Sequence, residues 1–224
     1  MCERLWTSPE PLKLPGGKDR ALFQILNEII REDDHSYEGV QAEGIPPHPQ
    51  LLAPATAFLC MLQYHLNAGR RKTKAHTKWP DGENSDTKDT VYRGSGLPSE
   101  HQAFFRNLSG TGRWYRVPHS LASSFFRAKA YDFMGYQPDE QPKAEWTITF
   151  DKTRRCPHVN YLDRTEVPGE EEFLFSAYSA FKVVEFRPPA SGDGRDRNDP
   201  FRITLEAHYD NSMAPENVPS APWH

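Results

Sequence analysis

Three groups of side chains carry the possible chemistry of this chain. Arg93 ends the run Thr90-Val91-Tyr92-Arg93 and is followed by Gly94-Ser95. A guanidinium presents a planar fork of donors that suits paired phosphate oxygens, and glycine lets a ligand approach the backbone closely. The same Tyr-Arg-Gly is equally an ordinary surface turn. Ser120-Leu121-Ala122-Ser123-Ser124 leads into Phe125-Phe126-Arg127-Ala128-Lys129-Ala130. Serines there either cap a helix, accepting from the orphan N–H groups of its first turn, or support a site. Glu170-Glu171-Glu172 opens the apolar Phe173-Leu174-Phe175. On a strand Glu170 and Glu172 share a face, and two adjacent carboxylates make one of them hold its proton more tightly. The other reading is an exposed acidic turn.

Other chemistries lack their residues. The nine histidines include no HExxH pair, CxxC is absent, and Cys156-x-His158 stands alone, so no metal site is expected. Neither a Gly-x-Ser-x-Gly elbow nor a glycine-rich phosphate loop occurs.

The elements that must position the three groups read as helices first and strands afterwards, an α+β arrangement. Asp19 to Arg31 has helical period, with Leu22, Ile25, Leu26, Ile29 and Ile30 on one face. A second helix starts near Pro54 and presents Ala55, Phe58, Leu59, Leu62 and Leu66 before Asn67 and Gly69 stop it. Residues 67–90 are the most polar stretch, either a solvated loop or a docking surface for an acidic partner. Strands are predicted at Val91–Arg93, Trp146–Phe150, Phe173–Phe175, Phe181–Phe186 and Ile203–Tyr209. A helix from Ser124 to about Met134 interrupts them, with Phe126, Ala130 and Phe133 on one face. The proline-rich tail, 211–224, reads as frayed. The whole is one domain, with a helical lead-in over 1–90 and a β-rich core over 91–210.

The order arginine, serine cluster, Glu-x-Glu resembles the R–S–E class of mono-ADP-ribosyltransferases. That class includes the vertebrate arginine-specific enzymes and the cholera-like and binary bacterial toxins. The internal spacings agree: Ser124 is followed by Ala130 and Phe133, and Glu172 by Phe181-Lys182-Val183. The resemblance covers about residues 90–187 and implies a split mixed and antiparallel β core with an N-terminal helical region. One departure stands out. Ala122-Ser123-Ser124 replaces Ser-Thr-Ser, so the first hydroxyl, which in the family helps hold the catalytic glutamate, is missing. Ser123 or Ser120 is the expected substitute, or activity is weakened.

By this resemblance the substrate is NAD and no metal is needed. Glu172 would stabilise the ribosyl cation formed as nicotinamide leaves, and Glu170 would orient the acceptor and help remove its proton. Arg93 would hold the NAD phosphates, the Gly94 backbone would contact the nicotinamide amide, and Phe133 would pack on its ring. Ser123 and Ser124 would support the site. Glu two positions before the catalytic Glu goes with arginine acceptors in the family, so a protein arginine is the expected target. The loop Asn160–Gly169, with Tyr161 and Arg164, would touch it. An NAD glycohydrolase on the same fold and a catalytically silent binding module are the alternatives.

Composition bounds these readings. The chain has 224 residues, 37 % hydrophobic and 12 % aromatic, enough for one packed core. Mean hydropathy is −0.77, and no apolar run approaches the ~20 residues of a membrane span. Net charge is −4, without the basic surplus of a nucleic-acid binder; the resemblance implies a protein substrate as partner. The scattered Cys2, Cys60 and Cys156 predict no disulfide framework. No leader pattern opens the sequence. Cytoplasmic residence, or delivery into another cell, is the expectation. Oligomeric state is left open.

Overall fold

A computed structural model of the chain describes residues 6, 8, 10–12, 20–33, 53–62, 89–150, 159–162, 169, 172–190 and 192–222. Two short strands, β1 (Pro11–Leu12) and β2 (Arg20–Ala21), pair with each other ahead of helix α1 (Leu22–Asp33). A second helix, α2, spans 53–62. The rest alternates strands with two helices: β3 (Thr90–Gly96), α3 (Ser99–Leu108), β4 (Trp114–Val117), β5 (Leu121–Ser124) and α4 (Arg127–Gly135). Then follow β6 (Lys143–Thr149), β7 (Val159–Tyr161), β8 (Glu172–Phe175), β9 (Ser179–Arg187) and β10 (Phe201–Ala207).

Strands β3 to β10 form one sheet in the order β4-β9-β10-β6-β3-β5-β8-β7. Its pairs are antiparallel apart from the parallel β10–β6. The weak point is β3–β5, which share the single pair Tyr92↔Ser124, whereas β3 and β6 share seven. There the sheet folds over. Phe175 of β8 and Phe181 of β9 have ring centroids 5.2 Å apart. Five strand spacings of a flat sheet would separate those strands by about 24 Å. Phe150 likewise stacks on Phe173 at 5.3 Å. The architecture is α+β with a split β core, as expected from the resemblance.

Folding at this seam defines an inner and an outer face. Val91, Leu121, Trp146, Ile148, Phe173, Phe175, Phe181 and Leu205 fill the inner face, joined by Phe105 and Leu108 of α3. Leu174, one residue out of step with Phe173 and Phe175, points outward into a second cluster with Leu26, Ile30, Leu59 and Leu62 of α1 and α2. All four residues of β8 are therefore buried, as in any strand covered on both sides. The α1 start is held by half a capping box, the Gln24 side chain accepting from the Ala21 N–H. Helix α4 covers the outer face of β3.

Several elements differ from their sequence expectation. The serine cluster is a strand, not a helix entrance, and α4 begins three residues later. Helix α3 and strands β4 and β7 have no counterpart among the expected elements. The tail is ordered over 214–222: Arg116 N–H donates to the Pro219 carbonyl at 2.9 Å, and Ala221 N–H to the Arg116 carbonyl at 2.8 Å. This segment straps the edge of β4, because an edge strand leaves backbone groups that a passing chain can satisfy. Residues 67–88, Cys2, Cys156 and Arg164 lie outside the described residues. Among those described, no helix is long and apolar enough to cross a membrane.

Candidate active site

Glu172 opens β8 and pairs directly with Ser124 of β5, which pairs on its other side with Tyr92 of β3. Directly opposed residues share a face, so Tyr92, Ser124 and Glu172 form a row across the seam on the outer face. Glu172 is only 8 % exposed. Its Oε1 accepts a 3.1 Å hydrogen bond from the indole Nε1 of Trp6, itself 2 % exposed. Glu170 and Glu171 lie outside the described residues.

The serines divide by alternation. Ser123 faces inward and donates to the Phe173 carbonyl at 2.8 Å. Ser124 Oγ accepts from Phe126 N–H at 3.0 Å, a local turn that leads the chain into α4. Ser120 is held by Asn27 of α1, whose Oδ1 accepts from its N–H at 3.2 Å. Ala122 shares the outer face with Ser124 but opposes Leu174, and it packs on the helical cluster. The serine opposite Glu172 is therefore Ser124. Neither Ser123 nor Ser120 takes that position, and the alanine at 122 removes no hydroxyl from it.

Arg93 leaves β3 on the opposite face from Tyr92 and Gly94, and its guanidinium crosses the seam to β5. Its Nη1 donates to the Ala122 carbonyl at 2.8 Å. Arg93 and Glu172 thus flank the same strand, two strand spacings or about 10 Å apart in backbone position. Gly94 has a packing reason for being glycine. A methyl group there would overlap the Ala130 carbonyl of α4 and lie 2.9 Å from Met134 Cγ. Among the described residues the β3–β5 ladder continues no further than Tyr92, so the β5-facing edge of Gly94 borders the seam. Phe133, 41 % exposed, lies on α4 edge-on to Tyr136 with ring centroids 6.3 Å apart. It shares the helix that covers Gly94.

Two features escaped the sequence reading. One is Trp6, 166 positions from its partner. The other is Arg127, at the start of α4, whose Nε and Nη2 grip both oxygens of Glu145, the second bond at 2.8 Å. Glu145 is buried opposite Gly94 on the outer face and also meets Tyr131 Oη at 3.4 Å and Arg202 Nε at 3.6 Å. Its hydrogen bonds push the Arg127 guanidinium above the ordinary arginine value, against a smaller opposing effect of burial. Tyr131 and Tyr92 add smaller upward effects. A carboxylate in the otherwise apolar Ala144-Glu145-Trp146 was the signal for this pair. For Trp6 the sequence holds none.

The outer face at the seam thus holds a buried carboxylate, a serine and a tyrosine in one row; Arg93 reaches the β5 backbone from the other face of β3, and Arg127 is bound to Glu145 on the outer face. This suits a ligand with anionic groups and a centre that becomes positive during reaction. No protein-family model and no curated protein sequence matches the chain. Solved structures do. HopU1 of Pseudomonas syringae pv. Tomato DC3000, an ADP-ribosyltransferase, superposes with a TM-score of 0.59 at 18 % identity, over 92 % of this chain and 75 % of its own. The ADP-ribosyltransferase Vis of Vibrio splendidus, in complex with agmatine, gives 0.55 at 16 % identity over 88 % and 73 %. At such identities the likeness is one of architecture. The split sheet folded at β3–β5, with helices on its outer face, is the ADP-ribosyltransferase fold.

Proposed function

We propose that this chain is a mono-ADP-ribosyltransferase that takes NAD as substrate and moves ADP-ribose to a protein side chain, an arginine guanidinium. The observation that carries this reading is Glu172: a buried carboxylate at the start of β8, opposed by Ser124 of β5 beside the seam of an ADP-ribosyltransferase fold. The nicotinamide of NAD is already cationic, so its bond to ribose C1′ breaks with the electron pair leaving on nicotinamide and no acid is required. What lowers the barrier is negative charge beside the developing ribosyl cation, the role of Glu172. An acceptor guanidinium nitrogen then bonds to C1′ and loses a proton. Glu170 is assigned to receive it on the Glu-x-Glu pattern of the sequence.

Arg93 is assigned to the NAD phosphates. The Gly94 backbone is assigned to the nicotinamide amide and Phe133, exposed on α4, to its ring. Ser124 supports Glu172, and Ser123 supports the strand beneath. The arginine acceptor draws on the Glu at position 170 and on the agmatine complex of Vis, since agmatine ends in a guanidinium.

Purified protein, labelled NAD and a panel of protein acceptors test the proposal. The expected result is labelled protein and released nicotinamide, both reduced about 100-fold or more by Glu172→Gln. Glu170→Gln is expected to suppress transfer to protein while nicotinamide release persists. Nicotinamide release without any labelled protein would select water as the acceptor. No release under any condition would refute the assignment.

A further inference from the structure

We infer that Trp6 is a positioning residue of the active site: its indole N–H holds the Glu172 carboxylate in place, so that the helical lead-in completes the site. The inference rests on the transferase reading for its kinetic consequence, and on geometry alone for the contact itself.

The contact joins two side chains 166 positions apart, at 3.1 Å, both almost fully buried. An indole N–H can only donate, and when buried it needs an acceptor. A carboxylate can accept about four hydrogen bonds, and the donor on Oε1 helps to orient it. The need for such a donor follows from burial. A carboxyl taken out of water drifts toward its neutral form, and a neutral carboxyl cannot stabilise a ribosyl cation. Polar groups of this face among the described residues include Ser124, Tyr92, Thr147 opposite Tyr92 and, beyond them, the Arg127–Glu145 pair, with Glu170 nearby in sequence.

Trp6 is itself well held. Its ring lies 6.1 Å from Phe23 of α1, tilted by 50°, inside the cluster that contains Leu26, Ile30, Leu59, Leu62 and Leu174. The two helices that cover the outer face of β8 therefore also fix the donor that aims its first residue. A tryptophan placed only to fill the cluster would be equally served by phenylalanine. The hydrogen bond is what distinguishes the two roles.

The test is Trp6→Phe, which keeps an aromatic ring and deletes the donor, read in two independent ways. In protein carrying ¹³C-labelled glutamate, the Glu172 carboxyl resonance, assigned with Glu172→Gln, reports its titration directly. Its midpoint is expected to rise by about one unit or more in Trp6→Phe. In the nicotinamide-release assay kcat is expected to fall about tenfold with KM for NAD within about twofold. Leu59→Ala, which loosens the same cluster and leaves the donor, is expected to lower stability without moving the midpoint. An unmoved midpoint in folded Trp6→Phe, an unmoved kcat, or an equal shift in Leu59→Ala overturns the inference. A shifted midpoint in a protein that releases no nicotinamide even as wild type supports the contact and refutes the transferase reading instead.

Discussion

Ser123 and Ser124 are neighbours in the chain with different partners, and the difference is testable. Ser123 donates to the Phe173 carbonyl on the inner face, a bond between two strands of the core. Ser123→Ala is expected to cost about 1 kcal/mol of stability in denaturant unfolding, with activity per folded molecule retained. Ser124 opposes Glu172 on the outer face. Ser124→Ala is expected to leave stability nearly unchanged and to lower nicotinamide release about tenfold, measured as kcat/KM. Reversal of that pattern would move the supporting role to Ser123. The residue types were legible in the sequence, and so was the alternation rule. The register was not, because four residues with burial on both faces carry no period of their own. A one-residue slip would have exchanged the two serines.

At the scale of elements, α4 and β3 depend on each other through Gly94. The sequence suggested a glycine that admits a ligand; the packing adds a helix backbone lying where a side chain would be. Gly94→Ala must push α4 away from β3, and a loss of about 3 kcal/mol or more is expected in denaturant unfolding, together with weakened NAD binding by calorimetry. Wild-type stability in that variant would mean the helix is free to shift. Helix α3 shows why some elements stayed hidden. Its buried residues His101, Phe105 and Leu108 follow helical spacing, but a histidine interrupts the apolar stripe. By contrast α1 and β6 were visible, since Leu22, Leu26, Ile29 and Ile30 or Trp146 and Ile148 repeat with the period of their element. Strands β4, β5 and β7, of three or four residues each, are too short to show one.

At the scale of the molecule, the inner core holds one polar atom whose ionisation couples to global unfolding. The Tyr115 hydroxyl is fully buried among Phe104, Phe105 and Phe181 and has no hydrogen-bond partner among the described residues. Burial pushes its phenol well above the ordinary tyrosine value. The unfolded chain therefore loses this proton first. The stability that depends on it is complete below about pH 10 and declines by up to about 1.4 kcal/mol per pH unit above that. Tyr115→Phe is expected to flatten this alkaline decline, read from urea midpoints at pH 9 to 11. At neutral pH it is expected to leave stability unchanged or raise it by about 1 kcal/mol, because an unsatisfied buried hydroxyl is removed. An alkaline limb identical to wild type would place the ionising group elsewhere.

The sequence by itself determined the α+β class, the amphipathic helices ahead of the strands, and the three groups around Arg93, Ser123-Ser124 and Glu172. These follow from local periodicity and from residue chemistry, which are properties of short stretches. Only the tertiary structure decided that Ser124 rather than Ser123 opposes Glu172, that Trp6 reaches Glu172, that Arg127 is gripped by Glu145, and that the tail straps β4. Each of these is a pairing between distant segments. Strand register and the fold at a one-pair seam depend on which faces can be buried together, and no short stretch of chain contains that information.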